Sequence, residues 1–257
     1  MNAYAIWIAF FTLCSREVRR FTRIWIQTLL PPAITTVLYF VIFGNLIGHR
    51  IGEIGGFDYM SYIVPGLIMM AIINNAYINV VFSFYINKFH RSIEEMLVSP
   101  MPALIILLGF ICGSMLRSML VGIIVTVLAL FFTRLPIYNF GIVAVVVLLS
   151  SFLFSCAGFL NALFARSFDD INIIPTFVLT PLIYLGGVFY SIDLLSDFWR
   201  NVSLANPMLY MVNAFRYGIL GISDISIISA LILLMVVSAG LFGLCWWLLV
   251  RGIGIRK

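Results

Sequence analysis

The sequence predicts an all-α, polytopic membrane protein, and three observations carry that prediction. Of its 257 residues, 63% are hydrophobic and only 10% charged, with a mean hydropathy of +1.14. A soluble domain would show about 45–50% apolar and about 25% charged residues. Long apolar runs recur along the chain, several reaching the ~20 residues that a helix needs to cross a bilayer. Basic residues gather at alternate breaks between these runs, the asymmetry that orients helical membrane proteins. The whole chain reads as one membrane domain of six transmembrane helices, with an interfacial helix at residues 1–23 and re-entrant helices before the last span.

Composition also excludes several classes of function. A net charge of +5 would point to nucleic acid in a soluble protein, but here the basic residues flank spans, so no nucleic-acid partner is expected. Cys14, Cys112, Cys156 and Cys245 form no CxxC and lie within or beside apolar segments, so they read as small core residues. With His49 and His90 the only histidines, a zinc site or a Ser/His triad has little to draw on, and no metal or catalytic site is predicted. A phosphate loop needs Gly-Lys-Ser/Thr, and the only lysines, Lys88 and Lys257, follow Asn87 and Arg256. No cofactor is expected on this chain, and any ATP used is bound by another.

Residues 1–23 do not form a signal peptide, because the positive charge follows the apolar stretch. Trp7, Phe10, Phe11, Cys14, Val18 and Phe21 make one helical face and Thr12, Arg16, Arg19, Arg20 and Arg23 the other. Such a helix lies in the headgroup plane, as a topology anchor or as a docking surface for a cytoplasmic partner. The first span, Ile24 to Ile47, opens through Pro31-Pro32, where missing amides cost little. After a polar loop with Arg50, Glu53 and Asp58, the second span runs from about Tyr59 to Val81, with a kink expected at Pro65-Gly66. Asn75 and Asn79 share one of its faces, with Asn74 and Tyr77 alongside, as interhelical glue more readily than as a substrate site.

Residues 82–102, FSFYINKFHRSIEEMLVSPMP, form a charged island. Phe82, Tyr85, Ile86, Phe89, Ile93, Met96 and Leu97 fall on one stripe, which predicts a single helix continuing the second span. It is too charged to cross and too apolar to float free, so Lys88, Arg91 and Glu95 turn toward water or a partner; a plain solvated loop helix is the alternative. The run Ala103 to Thr133 exceeds one crossing, so part of it is expected along the interface. Arg117 within it is read as snorkelling or structurally paired, ahead of a role in a pathway.

The fourth span is Phe140 to Phe164, followed by the turn Ala165 to Asp170. The fifth, Ile171 to Tyr190, carries Pro175, Pro181 and Gly186-Gly187, breakers that keep it from being a straight rod. Residues 191–224 are too mixed to span. Leu194, Leu195, Phe198 and Val202 form a stripe there, and Asn206-Pro207 starts a second short helix ending near Gly218 or Gly221. Apolar helices of ~10–14 residues beside a span point to re-entrant pieces. Ile225 to Val250 is the last span. With both termini cytoplasmic, Arg16, Arg19, Arg20, Arg23, Lys88, Arg91, Arg166, Arg251, Arg256 and Lys257 lie inside, and only Arg50, Arg134, Arg200 and Arg216 outside.

Leu97-Val98-Ser99-Pro100-Met101-Pro102, the run PTFVLTPLIYLGGVFYS from Pro175, and Trp199, Asn206-Pro207, Tyr210 and Arg216 beyond it resemble the ABC type-2 transporter permeases over essentially the whole chain. One departure is Ser196-Asp197, where the family usually has a proline after the Leu-Leu pair. The resemblance implies six membrane helices per subunit, a homodimer in the bacterial inner membrane, and two separate ATP-binding subunits. The segment from about Tyr85 to Leu97 would be the coupling helix, with Lys88, Phe89, His90, Arg91, Glu94 and Glu95 meeting the ATPase, and residues 1–23 would brace it. ATP closure would move this helix and, through it, the bundle.

The favoured function is the membrane subunit of an ATP-driven exporter, with no enzymatic activity of its own. An ion-coupled carrier or channel would place carboxylates or histidines within spans, whereas every Asp and Glu reads as falling in a loop or at an edge. A lipid- or glycan-modifying enzyme would need a convergent acid, base or metal cluster, for which only Glu53, Asp58, Asp193 and Asp197 are at hand. An aromatic, weakly polar path from Tyr39, Asn75, Asn79, Tyr184 and Phe189 would suit an amphipathic solute in contact with membrane lipid.

Overall fold

The computed structural model describes residues 2–254; Arg256 and Lys257, expected on the cytoplasmic side, lie outside the described residues. The chain is almost wholly helical. Helix α1 spans Ala3–Arg23; α2, Trp25–Tyr39, continues as a π-helical stretch, Phe40–Ile47, and one further turn, α3, Gly48–Ile51. The loop that follows holds a hairpin not expected from the sequence, β1 (Glu53–Ile54) against β2 (Phe57–Asp58). Then come α4 (Tyr59–Phe89), α5 (Ser92–Val98), α6 (Ala103–Ala129), α7 (Phe140–Phe164), α8 (Asp170–Ile174), a π-helical turn Pro175–Leu179, α9 (Thr180–Tyr184), α10 (Asp197–Leu204), α11 (Pro207–Leu220) and α12 (Ile227–Arg251).

Among the described residues, five helices are long and apolar enough to cross a membrane: Trp25–Gly44, α4, α6, α7 and α12. The expected fifth span is shorter than Ile171 to Tyr190. Its helix runs Asp170–Tyr184, roughly 22 Å at 1.5 Å per residue against a hydrocarbon core of ~30 Å. Pro175 and Pro181 remove ladder donors, and Gly187, at φ +70°, turns the chain away. The breakers thus end this helix as well as bend it.

α4 is the central post. It packs against α6, α7 and α11, and nearly all of its first 27 residues are buried or half-buried. Contacts this close need small residues, because helices gain little from hydrophobic association within lipid and rely on packing. Gly158 of α7 admits the backbone of Tyr77, and Gly66 admits that of Val188. Interhelical hydroxyl bonds add to this, such as Ser114 Oγ to the Ala76 carbonyl and Ser61 Oγ with Thr133 Oγ1 at 2.8 Å.

Several local expectations are corrected. Pro31-Pro32 lie inside α2, past its opening turn. Thr36 lies one turn on, where its hydroxyl donates back to the Pro32 carbonyl at 2.8 Å. The stripe from Phe82 to Leu97 is not one helix. α4 ends at Phe89, and Arg91 adopts φ +60°, the only non-glycine residue at positive φ among those described. Arg216, counted among the basic residues of the outer side, is fully buried in α11. It donates to the carbonyls of Gly187 at 2.6 Å and Tyr62 at 3.3 Å, with its guanidinium 4.0 Å from the Tyr62 ring centroid. The start of α11 is as expected: Asn206 Oδ1 accepts from the Met208 amide, and Gly221 closes the helix at φ +77°.

Candidate functional site

Two regions carry the predicted site residues. The first is a cavity of about 300 Å³ between α2, α4 and α6, lined on its polar side by Gln27, Thr28, Thr35, Asn74, Asn75 and Arg117. Leu67, Met70, Ile78 and the two prolines supply its apolar walls, and Tyr39 stands at its edge. Of the five residues expected along a path, Asn75 and Tyr39 line this cavity. Tyr184 and Phe189 extend it as an aromatic cluster. The Tyr39 and Tyr184 hydroxyls lie 3.3 Å apart, and the Phe189 ring stands 4.9 Å from Phe43, 5.8 Å from Tyr184 and 6.0 Å from Tyr39.

Asn79 is not on the cavity wall. It is fully buried, one turn along from Asn75, and its Oδ1 accepts from Arg117 Nη1 at 3.0 Å and from Arg20 Nη2 at 2.8 Å. Arg117 therefore does not snorkel. Its other amine donates to Thr28 O at 3.2 Å and Asn75 Oδ1 at 3.3 Å. The i, i+4 asparagines serve as glue, as their spacing predicts, with α6 as the helix they hold.

A carboxylate missing from the sequence reading completes this network. Glu17 is buried between α1, α4 and α6, contrary to the expectation that acids sit only in loops or at edges. It accepts from Arg20 at 3.1 Å and from the Ser83 hydroxyl, and Arg16 stands 3.5 Å away. The α1 faces differ accordingly from the expected pair. Leu13, Cys14, Glu17 and Phe21 turn into the protein and Arg20 joins them, while Tyr4, Trp7, Ile8 and Phe11 face outward. Leu13 lies against Gly109 and Glu17 against Gly113. Equal four-residue steps on both helices mean that this half of α1 runs alongside α6, not across it. The Gly109-x-x-x-Gly113 spacing in α6 was the available signal.

The second region is the charged island. Phe89, His90, Arg91, Glu94, Glu95 and Val98 are exposed, while Ile93 is fully buried and pins α5 to the body. Lys88, expected to face water or a partner, instead turns inward and donates to the carbonyls of Leu163 at 2.6 Å and Ala165 at 2.9 Å. It caps the end of α7, where unpaired carbonyls carry the negative end of the helix dipole. Phe168 packs beneath, edge-on to Tyr85 at 4.9 Å and tilted against Phe89 at 5.3 Å. The turn holding Phe168 is fixed by Asp170, which accepts from the amides of Arg166 at 2.8 Å and Ser167 at 3.0 Å. The Arg166 amide first, and then Ser167, hold the Asp170 carboxyl below its ordinary pKa.

The chain is thus a bundle of apolar helices with an open cavity of mixed polar and apolar walls and a short charged helix set off at one end. The model of the ABC-2 type transporter family matches residues 8–220. The chain belongs to that family. It is 51% identical to "Inner membrane transport permease YadH" of Escherichia coli (strain K12) over 98% of either chain, and equally so to the protein of that description from Shigella flexneri. It is also 22% identical to "Nodulation protein J" of Neorhizobium galegae, over 72% of this chain and 71% of that one. As an ABC-2 permease it is a multi-pass inner-membrane protein and the membrane subunit of an ABC transporter.

Proposed function

We propose that this chain is the permease subunit of an ATP-driven exporter, working as a homodimer and powered by a separate ATP-binding subunit. Each copy would contribute six crossings, the short helix within residues 171–190 being one of them, and the 191–224 segment would be re-entrant. Both termini would be cytoplasmic, with the outward face of α1, Tyr4, Trp7, Ile8 and Phe11, resting in the inner leaflet. The solute would be amphipathic, a drug, lipid or lipid-linked glycan, passing along Tyr39, Asn75, Tyr184 and Phe189, with Asn79 holding the wall from behind.

The observation that carries this reading is the division of labour in the charged island. Phe89, His90, Arg91, Glu94 and Glu95 are free on the surface for an ATPase, while Lys88 and Ile93 tie the same segment to α7 and the body. A push on the exposed side therefore reaches α4 and α7 through direct bonds and rigid helices. Charge reversal at Arg91 and Glu95 is expected to abolish ATP-dependent transport in vesicles holding permease and ATPase, with insertion and dimerisation intact. Unchanged coupling would sink the assignment of α5. Buried Glu17 supplies the one observation for an ion-coupled carrier; with Arg16, Arg20 and Ser83 already on it, the reading requires solute movement without ATP, which the same vesicles test.

A further inference from the structure

The cavity between α2, α4 and α6 ends on a cation that has no anion. Arg117 donates to Asn79 Oδ1, Asn75 Oδ1 and Thr28 O, all neutral acceptors, and its Nε hydrogen is buried without a partner. Among the described residues no carboxylate lies within 4.0 Å of it, since Glu17 is taken by Arg16 and Arg20. Arg20 adds a second guanidinium on the same Asn79 oxygen. A guanidinium near the middle of a membrane helix normally has a counter-charge or reaches the headgroups. This one does neither, and it faces a cavity.

The walls say what kind of anion fits. Thr35 and Asn74 offer a hydroxyl and an amide beside Arg117, the Thr28 hydroxyl being held by the Phe21 carbonyl, while Leu67, Met70 and Ile78 line the rest. A volume of about 300 Å³ is at the lower limit for small-molecule sites, so it suits a head and the first part of a chain but not a whole lipid. We propose that this cavity binds an anionic amphiphile, with its phosphate or carboxylate head on Arg117 and its apolar part along Leu67, Met70 and Ile78. The inference rests on the cavity belonging to the solute path, and it narrows the amphipathic solute to an acidic one.

The test is calorimetric titration of the full-length chain in neutral detergent with dihexanoyl phosphatidic acid, dihexanoyl phosphatidylcholine and inorganic phosphate. Charge-assisted hydrogen bonding predicts that phosphatidic acid binds roughly tenfold more tightly than the zwitterionic lipid. Arg117→Gln should erase that preference and Arg117→Lys should keep most of it. Ala71→Leu, which fills the cavity and leaves Arg117 in place, should weaken both lipids alike. Equal affinity of the two lipids for the wild type, or a preference that survives Arg117→Gln in a folded protein, overturns the proposal. So does inorganic phosphate binding as tightly as phosphatidic acid, which would mark a site for a free anion. Neither ATP nor an ATPase enters this experiment, so a negative result removes the acidic solute and leaves the exporter reading to its own vesicle assay.

Discussion

Glu17 shows how much one side chain can organise. Its carboxylate is 1% exposed and holds Arg20, Arg16 and Ser83, joining α1 to α4 one turn from the Asn79 contact. Removing the carboxylate leaves Arg16 and Arg20 without their acid, although both reach solvent, and takes the acceptor from the buried Ser83 hydroxyl. Glu17→Gln is therefore expected to lower the melting temperature of the purified chain clearly, and an unshifted transition would show the network to be slack. Arg216 poses the same question near the Gly186-Gly187 turn. A lysine there keeps the charge but cannot reach the Gly187 and Tyr62 carbonyls together. Arg216→Lys should cost about 2 kcal/mol, the scale of one charged hydrogen bond, in the same melt. Neither residue was legible as buried. An acid amid arginines reads as a solvated face, and an arginine on a short helix of the outer side reads as exposed, until the partner helix is known.

At the level of elements, apolar runs gave away α6, α7 and α12 to within a few residues, and the start of α4 but not its end, because lipid demands uninterrupted internal hydrogen bonding. The break at His90–Arg91 carried no such sign. It contains neither glycine nor proline, and Arg91 holds a left-handed conformation that costs a non-glycine residue roughly 1–2 kcal/mol. Tertiary contacts, Lys88 on one side and Ile93 on the other, impose it. The turn beneath is sensitive to acid. Because the folded Asp170 pKa is depressed, its bonds contribute fully above the unfolded carboxylate value near ~3.9 and are lost as the pH falls through the folded value. Hydrogen exchange at the Arg166 and Ser167 amides should accelerate beyond the intrinsic rate only in that acidic window. In Asp170→Asn the amides should be less protected throughout; equal protection in the variant would contradict the assignment.

For the whole molecule, the site was legible as a set of residue types but not as a place. Tyr39, Tyr184 and Phe189 cluster beside Asn75, and for the cation at the cavity's end the sequence left snorkelling and structural pairing both open, since it does not show that α1 occupies that flank. One broad apolar face remains uncovered on α2 and its neighbours, with Ile26, Leu30, Ile34, Leu38, Phe177 and Val178 outward. α12 bares another, with Ile232, Met235 and Val236. If the proposed homodimer forms across the cavity side, a single cysteine at Leu38, in a background without the four native cysteines, should cross-link two copies in membranes. One at Val236 should not. The reverse pattern would move the dimer axis to α12.

The pairing of Glu17 with Gly113 and Leu13 with Gly109 also sets a timetable. The ribosome takes on the order of 5–20 s to make the chain between the two glycine positions and their partners, and for that interval the acid and its arginines have no socket. The nascent N-terminus must wait at the lipid surface until its groove is synthesised. A glycine replaced by a bulkier residue there would be felt first as slow maturation and proteolysis during biogenesis, before any defect in pumping could be scored.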